Sequence, residues 1–211
     1  MPLASTLISI PIFLEIYGNE RYGVVTLLWL LVGTLGLFDL GIGPAVTILL
    51  SRRKRNVNAA TFRYIRSAML ISLLIGLAST VLILLAVNQK TITMVGITEN
   101  LYAEFKHSLL LLLFIIPLST TSSVLTGLLA ARERFFAINA SNIISTFVFQ
   151  WLPLVLVYVF PPSVALVVCS ITLAKILQFT ILLTSQKIGI RQPLFKKIRM
   201  RETRIILGIG S

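Results

Sequence analysis

Five stretches of this chain run for 21–27 residues almost without charge, at about 24–50, 67–87, 108–131, 135–160 and 163–186. A helix crosses the hydrocarbon core of a bilayer with about 20 apolar residues at 1.5 Å rise each, so every one of these runs is long enough to span. In lipid, only α-helices or a closed barrel satisfy the backbone's polar groups. Barrel strands alternate apolar and polar residues over about ten positions, and these runs do not alternate. The fold class that follows is all-α, a polytopic transmembrane helical bundle. Composition agrees, with 56% apolar and 12% charged residues in 211, where a soluble domain carries roughly 25% charge. A soluble enzyme and a disordered tail are excluded, and the single cysteine excludes a disulfide scaffold.

A sixth apolar run, 2–14, is too short to span unaided. It has no preceding Lys or Arg and no small-residue cleavage site after it, so it does not read as a signal peptide. It reads instead as the outer part of a first span, giving about six helices with the first one shortened. Residues 1–190 then form one six-helix lobe. Residues 191–211 form a basic connection leading into a seventh apolar run that has barely begun at Ile205. The chain thus reads as a piece of a longer membrane protein.

The net charge of +12 has an address. Fifteen of the nineteen Lys and Arg fall in alternate connections: 51–67, the 131–134 turn, and the stretch after the last span. The other connections hold Arg21, Lys90 and Lys106 beside Glu15, Glu20, Glu99 and Glu104. This alternation is the positive-inside pattern and places the basic loops and the C-terminal end in the cytoplasm. Anionic lipid headgroups are the expected neighbours of those loops, and nucleic acid is not an expected partner.

Two ionisable residues lie deep in the spans, Asp39 and Lys175. Each costs roughly 2.5–3.5 kcal/mol at a helix centre on insertion scales. Their similar depth and opposite charge suggest either a structural pair or a shared hydrophilic cavity. Polar side chains line up around them. Asn139, Asn142, Thr146 and Gln150 follow one face of the fifth span, and Thr172, Lys175 and Gln178 one face of the sixth. On the second span Gly33, Gly36, Asp39 and Gly43 follow spacings of three and four, which is one helical face. Gly41, Gly43 and Pro44 are helix-break candidates there, and Pro117 is another in the fourth span. The hydroxyls of 119–123 are expected to satisfy the backbone that Pro117 frees. Ordinary interhelical packing and hydrogen bonding is the competing explanation for each stripe taken alone.

Catalytic patterns are missing. The one histidine, His107, sits at a helix end, and the one cysteine, Cys169, lies within an apolar span. Gly41-Ile42-Gly43 has Val46 where a dinucleotide loop needs its third glycine, and no phosphate-binding loop occurs. No enzyme, cofactor or metal centre is expected.

The segment Tyr22-Gly23-Val24-Val25-Thr26-Leu27-Leu28-Trp29, leading into Phe38-Asp39-Leu40-Gly41-Ile42-Gly43-Pro44-Ala45, resembles the opening of the polysaccharide exporters. These include the O-antigen (Wzx-type) flippases of the multidrug/oligosaccharidyl-lipid/polysaccharide exporter superfamily. Gly127-Leu128-Leu129-Ala130-Ala131-Arg132-Glu133-Arg134-Phe135, followed by Asn139, resembles their turn between the fourth and fifth helices. The resemblance implies two six-helix lobes in a V around a cavity that opens alternately to each face of a bacterial inner membrane. It implies a polyprenyl-diphosphate-linked oligosaccharide as substrate and polysaccharide-assembly proteins as possible partners. Lys175 then suits the anionic group, Asn142, Gln150 and Gln178 suit sugar hydroxyls, and Asp39 holds Lys175 or takes a coupling ion. An ion-coupled multidrug exporter of the same superfamily and a non-transporting scaffold of a polysaccharide-synthesis complex remain as alternatives.

Overall fold

The computed structural model describes residues 2–34, 41–51, 59–86 and 99–187, and these are all helix and short connection, without a strand among them. In chain order the helices are α1 Pro2–Thr34, α2 Ile42–Ser51, α3 Ala59–Ala86, α4 Glu99–Leu113, α5 Ile115–Ala131, α6 Phe135–Leu156 and α7 Val164–Lys187. Among the described residues four segments are long and apolar enough to cross a membrane: Arg63–Leu85, Glu104–Ala131, Phe135–Leu156 and Val164–Gln186. The protein is a multi-pass membrane protein on this length and composition.

The first two apolar runs form a hairpin. Gly18 has φ 71° and ψ 167°, a conformation open essentially to glycine, and it divides α1 into 2–17 and 19–34. Phe13 and Trp29 would stand about 24 Å apart along one straight helix. Their ring centroids lie 5.2 Å apart, edge to face, so the chain reverses at Gly18. Phe13, Tyr17, Val25 and Leu28 are buried together against α4 and α7.

The second span is not one continuous helix over 24–50. Gly41 takes φ 76°, outside the helical range, and α2 starts afresh after it. Gly41 supplies the carbonyl for the first turn, accepting from Ala45 N–H at 3.0 Å. Pro44 falls in that first turn, where its missing N–H would have had no partner in the helix. The glycine face through Gly33, Gly36, Asp39 and Gly43 therefore does not run along a single helix. Asp39 and Gly36 lie outside the described residues.

Pro117 acts where the sequence puts it. Phe114 keeps helical dihedrals (φ −64°, ψ −20°), so α4 and α5 are one span interrupted in its hydrogen-bond ladder. The carbonyl left without its donor is that of Leu113, four residues before Pro117. The following hydroxyls do not reach it: Thr120 and Thr121 donate to Pro117 O and Ser122 to Leu118 O. The donor comes from another helix, with Thr80 Oγ1 at 3.2 Å from Leu113 O.

Thr80 belongs to a recurring device. Its single proton is shared between Leu113 O and Gly76 O in its own helix. Thr120 divides its proton likewise between Pro117 O and Ser72 O, and Thr47 between Gly43 O and Gly127 O. Each hydroxyl is satisfied within its helix and stitches to a neighbour, a useful economy where no water competes. Small residues permit the approach. A Cβ on Gly43 would collide with Ser123, and one on Gly127 with the Gly43 carbonyl.

These contacts also sort the helix ends. Arg134 Nη1 donates to Ser185 O at 2.8 Å and Gln186 Nε2 to Leu125 O at 2.9 Å, gathering Arg132, Arg134 and the end of α7. The antiparallel α3–α5 pairing brings Arg63 and Arg66 to that same basic end. Burial, then the neighbouring Arg134 charge, pulls the Arg132 guanidinium below its ordinary value. At the opposite end Glu104 caps α7, its Oε1 accepting from Val164 N–H at 2.6 Å, and its Oε2 lies 3.8 Å from Arg21 Nε. A carboxylate at a helix N-terminus is favourable for both the orphan donor and the dipole.

Candidate functional site: a donor-terminated relay on α6 and α7

Lys175 sits eleven residues after Val164 and twelve before Lys187, so it is roughly 17 Å from either end of α7. An ammonium on a stem of about 6 Å cannot snorkel to an interface from there. Lys175 Nζ donates to Gln178 Oε1 at 3.3 Å, and Gln178 Nε2 donates to Asn142 Oδ1 at 2.8 Å. The two α7 side chains are three residues apart on neighbouring positions of one helical surface. The antiparallel packing of α6 on α7 supplies Asn142.

The direction of this chain is forced. An ammonium has only donors, so Gln178 must turn its oxygen to Lys175 and its amide to Asn142. Asn142 must in turn offer its oxygen and leave its NH₂ outermost. The unspent hydrogens are then two on Lys175, one on Gln178 and two on Asn142. A surface so arranged recognises acceptors such as phosphate oxygens, carboxylates or sugar hydroxyls.

No carboxylate among the described residues pairs with Lys175; the one ion pair there is Arg21–Glu104. Glu133 lies at the basic turn and Glu104 at the far end, so neither shares its depth. The expected Asp39 partner lies outside the described residues. Lys175 and Gln178 are half-buried, whereas Asn142 and Asn139 are exposed on α6. Carboxamides with unpaired donors are costly against hydrocarbon, so this surface is built to face water or a polar ligand.

Gln150 does not join the relay. It is 3% exposed and engaged on both atoms, with Oε1 accepting from Ser5 Oγ at 2.6 Å and Nε2 donating to Thr6 Oγ1 at 2.7 Å. Trp151 Nε1 donates to the same Ser5 oxygen at 2.9 Å. Gln150 thus locks the first helix of the hairpin to α6. The Ser5-Thr6 pair in the first apolar run is the sequence signal for this lock, and spacing along α6 alone does not find it. Gly41, Gly43 and Pro44 form the start of α2, and Gly43 and Pro117 line helix crossings rather than the relay. Among the described residues no group of three His, Cys, Asp or Glu converges as a metal site.

No protein-family model, curated protein or solved structure matches this chain. The functional reading accordingly starts from the side chains.

Proposed function

We propose that the protein is one lobe of an exporter that moves a polyprenyl-diphosphate-linked oligosaccharide across a bacterial cytoplasmic membrane by alternating access, its basic loops in the cytoplasm. The observation that carries this is the relay: a cation at mid-span depth, without a carboxylate partner among the described residues, continued by two carboxamides that end in donors. A lipid diphosphate brings negative charge, and its glycan brings hydroxyls, both acceptors for that surface. The prenyl tail stays in lipid, so only the polar part needs the hydrophilic face. The resemblance of the 22–45 and 127–139 segments to polysaccharide exporters supports the same substrate class. A lysine on this surface disfavours a cationic drug as cargo. Anionic lipids at the basic loops and polysaccharide-assembly proteins are the partners this assignment carries, with no enzymatic step in the chain itself.

In this mechanism Lys175 holds the diphosphate while Gln178 and Asn142 orient the first sugar. Conversion between inward- and outward-open states then exposes the same face to either side. The test is glycan export in cells carrying Lys175→Ala or Lys175→Arg at parental membrane abundance. Export falls at least about tenfold in Lys175→Ala, as loss of one charge-assisted contact of about 1.5–3 kcal/mol requires, and Lys175→Arg retains a substantial part. Parental export by Lys175→Ala contradicts the assignment.

A further inference from the structure

A concave feature lies between α3, α5 and α7. It is a groove of about 470 Å³ whose lining includes Arg66, Leu70, Leu73, Pro117, Phe179 and Leu183. Its volume falls in the roughly 300–1,000 Å³ range of small-molecule sites. The lining is apolar apart from Arg66 and Thr121, and the Thr121 hydroxyl is turned back onto Pro117 O at 2.7 Å. Phe114 in its lining is 80% exposed and Leu73 is 39% exposed, so the groove is open along its side.

The charge sits at one end of the groove. Arg66 is near the start of α3, at the basic end, and no salt bridge to a carboxylate is made by it among the described residues. From Arg66 to Leu73 the α3 wall descends about 10 Å. Half of a hydrocarbon core is about 15 Å thick, so the groove is an apolar slot running within one leaflet under a cation. Pro117, with Gly76 seated close against it, bounds the far end of the groove.

We propose that this groove holds an acyl chain of an anionic phospholipid from the leaflet at the basic end, with the lipid phosphate on the Arg66 guanidinium. A guanidinium matches a phosphate in both charge and fork geometry. A neutral lipid fills the slot equally well but gains nothing from the arginine. The site stands independently of the transport assignment, because none of its argument uses Lys175 or the glycan.

The test uses the purified protein in bilayers of equimolar phosphatidylcholine and phosphatidylglycerol, with a photoreactive acyl chain on one or the other lipid. Crosslinks from phosphatidylglycerol map to the groove faces of α3, α5 and α7 and exceed those from phosphatidylcholine. Arg66→Gln lowers this labelling about fivefold, the factor corresponding to about 1 kcal/mol for one basic residue at an anionic surface. Arg66→Lys retains most of it, Arg132→Gln leaves it unchanged, and Leu73→Trp reduces labelling by both lipids by filling the slot. Equal labelling by the two lipids overturns the proposal, as does an equal loss in Arg66→Gln and Arg132→Gln. Displacement of the phosphatidylglycerol label by unlabelled polyprenyl phosphate at low mole fraction also overturns it, reassigning the groove to the carrier lipid.

Discussion

Lys175→Met is expected to leave the folded bundle at least as stable as the parent, while export is lost. The lysine is half-buried on a surface that faces water or a polar ligand, and its hydrogen bond to Gln178, at 3.3 Å, is a long one. Methionine keeps the unbranched stem and removes the charge. A residue kept for structure behaves in the opposite way, because breaking a buried charge pair by removing one partner is strongly destabilising. Unfolding in detergent, followed by helicity against added denaturant, separates the two cases. A marked loss of stability in Lys175→Met means that the lysine holds helices together and removes the ground for a ligand there.

The largest loss of stability is expected at the crossing of α2 and α5. Gly127→Val places a Cβ into the Gly43 carbonyl, and Gly43→Val drives one into Ser123, including its backbone. Backbone cannot turn aside as a flexible side chain does. The helices must separate, and Thr47 then loses the Gly127 carbonyl at 3.1 Å. Overpacking of this kind costs about 1–3 kcal/mol or more, and the crossing is the main seat of α2, whose ten residues are too few to span alone. Either variant is expected to lower the thermal unfolding midpoint sharply and to reduce membrane abundance. Gly33→Ala serves as the mild comparison, since a Cβ there meets nothing within 4 Å. Parental stability in Gly127→Val would mean that α2 does not depend on this contact.

Much of the architecture is written in features that act locally. Apolar run length marks the four long spans among the described residues but not the break within 24–50, while Pro117 marks the interrupted ladder and Gly41 the point where α2 restarts, because each constrains its own backbone. The grouping of cations by connection translates into helix ends, with Arg132 and Arg134 beside the end of α7 and Arg21 beside Glu104. What is not legible depends on which helix becomes a neighbour. Spacing puts Asn142 and Gln150 on one face of α6, yet Asn142 meets Gln178 and Gln150 meets Ser5 and Thr6. The two positions are about 12 Å apart along the axis, far enough for different helices to cover them. Reading 2–14 and 24–50 as separate spans implies a reversal between them, but hydropathy does not single out Gly18 as the residue that makes it. The orphan carbonyl of Leu113 is predictable, but its donor, Thr80, lies 33 residues away on another element.

The relay also orders its own members. Lys175 polarises Gln178, and Gln178 fixes which end of Asn142 faces outward. Losing the lysine therefore removes the charge and frees both carboxamides to turn their oxygens outward. The presented surface changes from donors alone to a mixture, which a diphosphate or a hydroxyl-rich glycan matches less well.

Equilibrium binding of a short-chain polyprenyl diphosphate to the purified protein, compared between the parent and Lys175→Met of verified fold, tests the relay most directly. The account predicts affinity lower by about tenfold or more in the variant, equivalent to at least about 1.4 kcal/mol, with a salt dependence that is steep in the parent and shallow in Lys175→Met. Equal affinity and equal salt dependence in the two proteins would contradict it.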